Sequence, residues 1–179
     1  MLSKARHYVL KEDLRTLYFA IFSSHLIYAS QIWGQVTNSH NQKIFKLQNR
    51  SVRIISFSDF RASVNPIYSS LNILKLRDQI VLQNCLFVHD SLNNIAPSCF
   101  STYFRHTRNA HSLNTRQATL GCLYPSNYST FRYGIFSITN RCISHWNALC
   151  KSLNTDLLTL TRHQLKITVS KHLKGSYQP

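Results

Sequence analysis

Acidic residues are the scarcest functional group in this chain. Its 179 residues hold only six Asp and Glu against 21 Lys and Arg, a formal net charge of +15. Few carboxylates are therefore present for catalysis by paired carboxylates, or by metal ions that carboxylates bind. So basic a chain favours a polyanionic partner, because each phosphate that it neutralises releases condensed counterions.

Glycine and proline are also rare, with four of each. Because these residues mark turns, their scarcity disfavours a sandwich of short strands and favours long helices. With 44% hydrophobic residues the chain can bury a core. We predict a mainly α fold, a multi-helix bundle with a loop-rich middle segment and room for one or two short strands. The predicted segments are a helical region 1–94, a loop-rich basic and aromatic segment 95–136, and a C-terminal helical region 137–179.

The five cysteines include no Cys-x-x-Cys pair, which disfavours both a disulfide framework and a zinc ribbon. Cys85 and His89 lie four residues apart, but two ligands do not make a metal site. Cys142, His145 and Cys150 lack a fourth ligand at a familiar spacing. Core packing is the favoured interpretation of Cys85, and a cation at a helix end that of His89. The second set is interpreted as part of a helix whose Ile143, Trp146 and Leu149 face the core, and no cofactor is expected in this chain. Reduced thiols without a signal peptide predict an intracellular protein, in the nucleus or cytoplasm and not secreted.

The stretch 17–34 carries no formal charge, and a membrane span is one interpretation of it. Its apolar residues recur at helical spacing on one face, in the order Leu14, Leu17, Tyr18, Ile21, Tyr28 and Ile32. This pattern favours an amphipathic core helix over about 10–33 instead, with no membrane partner. Glu12 and Asp13 would lie in its first turn, where negative charge stabilises a helix. His25 is interpreted as a core histidine on the apolar face.

A second helix, over about 40–57, carries four cations that we call the basic stripe: Lys43, Lys46, Arg50 and Arg53. Their spacings of three, four and three place them within an arc of about 80°. Apolar residues cover the adjoining side, and no acid intervenes before Asp59. The pattern predicts contact with nucleic-acid phosphates, and an ordinary solvated face is the alternative.

The middle of the chain alternates basic and aromatic residues without strong periodicity. Such residues can bind backbone phosphates and stack on unpaired bases. Further candidate nucleic-acid-binding residues lie here and in a helix predicted over about 156–174: Arg105, Arg108, Arg116, Arg162 and Lys166.

Several motifs occur in an order that is itself informative. They are Leu14-Arg15-Thr16-Leu17-Tyr18, Tyr28, Trp33-Gly34, the stretches 47–55 and 67–76, Asn114-Thr115-Arg116, Ser137 and Trp146-Asn147-Ala148-Leu149. Across residues 4–175 this ordered set resembles the C-terminal region of non-LTR retrotransposon reverse transcriptases of the jockey-like kind, around and beyond the thumb.

The resemblance implies a nucleic-acid-binding piece of a larger polyprotein. The implied partners are RNA, an RNA:DNA duplex or target DNA, and the polymerase domain of the polyprotein, with no small-molecule substrate. The family's polymerase holds Mg²⁺ with an Asp-Asp pair, which this sequence lacks; Glu12-Asp13 is its only adjacent acidic pair. We therefore expect the chain not to be an enzyme on its own, and Mg²⁺ only in the polymerase domain.

Three other interpretations remain open. The chain could be a protein-interaction or packing module whose basic faces dock on an acidic surface of the same polyprotein. It could be a non-functional remnant of that polyprotein. It could also be a basic membrane protein anchored through the stretch 17–34.

Overall fold

The computed structural model describes residues 2–35, 38–110, 115–127, 134 and 136–177, with the backbone alone for residues 38–40. This part of the chain is mainly helical, which confirms the predicted fold class. Its β pairing is limited to an isolated antiparallel bridge between His106 and Leu123. The one or two expected strands are thus reduced to a single residue pair.

The helices before residue 93 are α1 (Leu2–Ala5), α2 (Lys11–Leu17), a π-helical segment (Tyr18–Ser23), α3 (Ser24–Ile27), α4 (Ser30–Trp33), α5 (Asn38–Ile55), α6 (Asn65–Leu71) and α7 (Leu76–Leu92). Those that follow are a 3₁₀ turn (Ser98–Phe100), α8 (Thr107–Ala110), α9 (Arg116–Thr119), α10 (Ile138–Leu153), a second 3₁₀ turn (Leu157–Thr159) and α11 (Arg162–Gly175).

The chain divides into two compact units. The first unit comprises residues 1–80 and 173–179, and the second comprises residues 81–172. The predicted segments 1–94, 95–136 and 137–179 are defined by composition and periodicity, whereas the two units are defined by contacts between residues. These segments stay a prediction.

The helix predicted over about 10–33 forms, but in pieces. Glu12 and Asp13 occupy the first turn of α2, as expected. The π-helical segment follows α2 directly, and Ala29 then breaks the helix with a left-handed backbone, φ 49°. Since a π turn bonds residue i to i+5, it rotates all later side chains relative to the α-helical register.

That rotation overturns part of the predicted apolar face. Leu14, which precedes the π-helical segment, and Tyr18, its first residue, are buried, whereas Tyr28 and Ile32 are 81% and 69% exposed. His25 is also exposed, so its interpretation as a core histidine is wrong.

The first unit buries two apolar clusters. The larger contains Leu14, Tyr18, Val52, Ile55, Ile67, Tyr68, Leu71, Ile73 and Tyr177. The smaller contains Leu26, Leu76 and Ile80, with the half-buried Trp33, Ile44 and Phe45 packed against it. Helix α5 contributes to both clusters, so apolar contacts fix its orientation at both ends.

Tyr177 joins the first unit from the far end of the chain. Its ring is 1% exposed, and Lys75 Nζ lies 4.1 Å from the ring centroid. The phenol accepts a hydrogen bond from the backbone N–H of Lys75 at 3.0 Å and donates one to the Asp78 carboxylate. Burial raises the pKa of Asp78 above its ordinary value. Residue 177 is therefore part of the core built by residues 14–73.

The Trp146-Asn147 pair ties helix α10 to the loop at 121–123 in the second unit. Trp146 is fully buried, and its indole N–H donates to the carbonyl of Gly121 at 3.1 Å. The Asn147 amide accepts from the Leu123 N–H at 2.7 Å and donates to the Leu123 carbonyl at 2.9 Å. This side chain takes the place of a strand partner for Leu123, which accounts for polar Asn beside a buried Trp.

Helix α7 is buried over much of its surface, because apolar residues occur nearly all the way round it. Leu82, Cys85 and Val88 are at most 2% exposed. His89 is buried as well, and its Nε2–H donates to the Leu160 carbonyl at 3.0 Å. Cys85 thus packs in the core, and His89 ties α7 to the segment before α11.

Several helices end on a left-handed residue. Asn72, Asn94 and Asn154 take this position with φ between 50° and 56°, and Gly121 takes it after α9 with φ 66°. Asparagine tolerates the left-handed region better than most residues. Asparagine residues thus end several helices in a chain that has only four glycines.

We predict that Gly121→Ala lowers the free energy of unfolding by about 2–3 kcal/mol. The new Cβ would meet the Asp156 carboxylate, at a φ that L residues rarely adopt. Gly175→Ala is the matched control, since its Cβ would have no neighbour within 4 Å. Urea unfolding of both variants measures the difference. Equal stabilities would contradict the strain assigned to Gly121.

Candidate nucleic-acid interface

Helix α5 presents most of the basic stripe to solvent. Lys43, Lys46 and Arg50 are exposed, whereas Val52 and Ile55 on the other side are fully buried. The helix spans Asn38–Ile55, close to the 40–57 that periodicity predicts. Its exposed face contains no acidic residue.

Arg53, the fourth member of the stripe, is partly committed to the fold. Its Nε donates to the carbonyl of Ala62 at 3.0 Å, and its Cζ lies 6.0 Å from the centre of the Phe60 ring. The side chain is only partly exposed. The stripe therefore has three exposed cations and a fourth that also holds the loop after α5.

Gln48 sets the rotation of α5 about its axis. This residue is 1% exposed on the side of the helix opposite the basic stripe. Its amide donates to the Tyr18 hydroxyl at 3.0 Å and to the Leu74 carbonyl at 2.9 Å, and it accepts from the Leu76 N–H at 2.7 Å. Gln48 is not among the residues predicted from sequence, although a glutamine within the apolar face of an amphipathic helix is itself a signal of a buried hydrogen-bond network.

A second hydrogen bond supports the same orientation. The Tyr68 hydroxyl of α6 donates to Asn49 Oδ1 at 2.8 Å. Burial raises the pKa of the Tyr68 phenol far above its ordinary value, so it remains a neutral donor at any physiological pH. Two consecutive residues of α5 are thus bonded to its neighbours.

The ion pairs of the described residues lie elsewhere. Asp90 pairs with Arg162 at 3.0 Å, and Asp156 pairs with Arg108 at 3.4 Å. Within the part of the chain that the structure describes, no acid pairs with a member of the basic stripe.

The predicted binding residues of the second unit divide into two kinds. Arg162 donates to both carboxylate oxygens of Asp90 at 3.0 Å, and Arg108 also reaches the Ala118 carbonyl at 3.4 Å. Arg116 donates to the Asn154 side chain at 3.4 Å. These three arginines are exposed but contact the fold, whereas Arg105 and Lys166 are exposed with no such contact among the described residues.

The aromatic part of the middle segment is described only in part. Tyr124 is 44% exposed, so its ring is accessible to solvent. His111, Tyr128, Phe131 and Tyr133 lie outside the described residues. Burial lowers the pKa of His106, which favours its neutral form.

The Cys142, His145 and Cys150 set packs inside the second unit. Burial raises the pKa of both thiols to about 12, which disfavours the thiolate that zinc requires. His145 Nδ1 lies 2.9 Å from the Asn84 amide nitrogen, so it accepts a hydrogen bond there. Burial lowers the pKa of His145 to about 4, with a contribution from Arg141. These side chains have the environment of a core.

The described residues form neither a metal-ligand cluster nor a membrane-spanning helix. No three His, Cys, Asp or Glu side chains among them are grouped as metal ligands would be. None of the helices they form has the length and apolar character that crossing a membrane requires.

Comparison with protein-family models, curated proteins and solved structures finds no match for this chain. The resemblance of its motifs to a reverse transcriptase C-terminal region therefore stays a prediction. The geometry of the basic stripe carries the functional argument.

We predict that Gln48→Leu lowers the free energy of unfolding by about 3 kcal/mol, because three buried polar groups lose their partner. Gln42→Leu is the matched control, since Gln42 is exposed on the same helix. Urea unfolding monitored by circular dichroism compares the two. If the two variants were equally stable, the Gln48 network would not hold the helix.

A second prediction concerns pH. His145 protonates near pH 6.5 in the unfolded chain but only near pH 4 when folded. Between these values the unfolded state binds more protons, so stability falls as pH is lowered, by up to about 1.4 kcal/mol per pH unit. His145→Gln removes this component, and unfolding free energies between pH 7 and 4 measure it.

The control for pH is His163→Gln, which changes an exposed histidine of the same unit. It is expected to keep the wild-type dependence on pH. A His145→Gln variant that also kept it would show that another group causes the loss.

Proposed function

We propose that this chain is a helical nucleic-acid-binding module whose basic stripe holds a phosphate backbone. In the reverse transcriptase polyprotein that its motifs resemble, it would hold RNA, an RNA:DNA duplex or target DNA beside the polymerase domain. The observation that carries the proposal is the exposure of Lys43, Lys46 and Arg50 on one helix face without an acidic partner among the described residues.

The dimensions of the stripe suit a nucleic-acid strand. Seven residues separate Lys43 from Arg50, which corresponds to about 10 Å along the helix axis. One strand of duplex DNA carries about three phosphates over such a length. The three cations on this fixed face are therefore about as many as the phosphates that one strand carries over that length.

The mechanism is one of binding. The two ammonium groups and the guanidinium group displace condensed counterions from the phosphates that they meet, and the release of these ions supplies the free energy. Gln48 and Asn49 keep the face turned outward, so little conformational freedom is lost on binding. The proposal assigns no bond-making step to this chain, and Mg²⁺ chemistry would belong to the polymerase domain.

A second candidate is a packing module within the polyprotein. The residues after α2 leave several large apolar side chains accessible: Phe19, Ile21, Ile27, Tyr28 and Ile32. Exposed apolar patches often mark protein contacts. This candidate predicts weak binding to free RNA and DNA.

The test is the salt dependence of binding to duplex DNA. We predict that replacing Lys43, Lys46 and Arg50 by Gln flattens the slope of log K against log salt by about 2 to 3, because each lost phosphate contact removes about 0.9. Fluorescence anisotropy with a labelled duplex over a salt series measures the slope.

The matched control replaces Lys4, Lys11 and Arg77 by Gln. These residues are also two lysines and one arginine, exposed on other helices of the first unit. The control variant should keep most of the wild-type slope. Equal flattening in both variants would assign binding to net charge, and no flattening in the stripe variant would exclude phosphate contact there.

A further inference from the structure

Phe60 has an unusual position for a large apolar side chain. It is 75% exposed, in the loop between α5 and α6. Its ring centre lies 6.0 Å from the guanidinium carbon of Arg53, the last residue of the basic stripe. An accessible aromatic ring therefore stands at the C-terminal end of the row of cations.

The backbone on both sides of Phe60 is held by hydrogen bonds. At the end of α5, the Phe57 N–H donates to the Ile54 carbonyl at 3.3 Å, and the Ser58 N–H donates to the Arg53 carbonyl at 3.1 Å. Beyond the ring, the Ala62 N–H donates to the Asp59 carbonyl at 3.1 Å, and the Ala62 carbonyl accepts from Arg53 Nε. The loop is thus bonded on both sides of Phe60.

The turn also contains backbone strain. Phe57 adopts φ 56°, a left-handed conformation that is unfavourable for a bulky residue. Glycine usually occupies such a position at the end of a helix. Such strain persists only where the surrounding structure enforces it, and it occurs often at binding sites. The residues that flank Phe60 in sequence, Asp59 and Arg61, are both charged and exposed.

We propose that Phe60 is a base-stacking platform, so that the chain binds an unpaired nucleotide at the end of the stripe. The proposal rests on the proposed function, because the stripe would hold the neighbouring phosphates. Bases inside a duplex are stacked and paired, whereas an unpaired base can lie flat on an exposed ring. Nucleic acid with a single-stranded segment is thus the preferred ligand.

Stacking on an aromatic side chain strengthens single-strand binding by about 5- to 150-fold per base. The contribution does not depend on counterion release, so it should not alter the salt slope. RNA and DNA bases both offer a π face, so both are suitable ligands.

The experiment uses the full chain and three labelled probes: oligo(dT) of about 15 nucleotides, the same strand annealed to its complement as a blunt duplex, and an abasic strand of the same length. Phe60→Ala should weaken oligo(dT) binding about 5- to 150-fold and leave the salt slope unchanged. Binding of the abasic strand and of the duplex should stay at the wild-type level. Phe60→Tyr should restore oligo(dT) binding.

The matched control is Tyr28→Ala, which removes another exposed aromatic ring of the first unit, 81% exposed. It should leave oligo(dT) binding unchanged. Urea unfolding verifies that Phe60→Ala is folded, as expected for an exposed ring, and Phe60→Tyr supplies a second folded comparison.

Wild-type affinity of Phe60→Ala for oligo(dT) would overturn the stacking proposal, and so would an equal loss on the abasic strand. The proposed function would survive either result if the stripe variant still flattened the salt slope. A wild-type chain that bound none of the three probes would overturn both, and would favour a protein partner for the exposed ring.

Discussion

The arrangement of the first unit depends on the buried amide of Gln48. Hiding an amide from water is costly unless its donors and acceptor are all satisfied, and here they bond Tyr18, Leu74 and Leu76. Tyr18 belongs to the π-helical segment, Leu74 lies just before α7, and Leu76 is the first residue of α7. A rotation of α5 by one residue would break all three bonds, so the cations on its opposite face are held toward solvent.

The local part of this arrangement is predictable from sequence. Helix α5 and its basic face follow from a 3.6-residue period, which is a property of neighbouring residues alone. Glu12 and Asp13 mark the start of α2 through another local effect, because negative charge in the first turn stabilises a helix. The burial of Trp146 in α10 also follows from its apolar spacing.

The remainder depends on contacts distant in sequence. The partners of Gln48 lie 26 to 30 residues away, and no local pattern names them. No residue type in the sequence predicts the π-helical segment or the left-handed backbone of Ala29. These two features together leave Tyr28 and Ile32 exposed. The accessibility of Phe60 likewise depends on how the loop after α5 folds back on Arg53.

Three of the six acids have structural contacts. Asp78, Asp90 and Asp156 bond a tyrosine or an arginine inside one unit, and Glu12, Asp13 and Asp59 are exposed. The first unit holds twelve Lys and Arg against four acids, and the second holds nine against two. Each unit therefore has its own positive potential, which would raise the rate at which a polyanion arrives.

The burial of Tyr177 also bears on the order of events during synthesis. A ribosome adding about 5–20 residues per second completes residue 80 several seconds before it reaches Tyr177. Throughout that interval the ring's place beside Tyr68 and Lys75 lacks its occupant. The core of the first unit, although most of its residues are made early, can therefore be completed only after Tyr177 has been made. Until then a nascent chain carries helix α5 on an incomplete core.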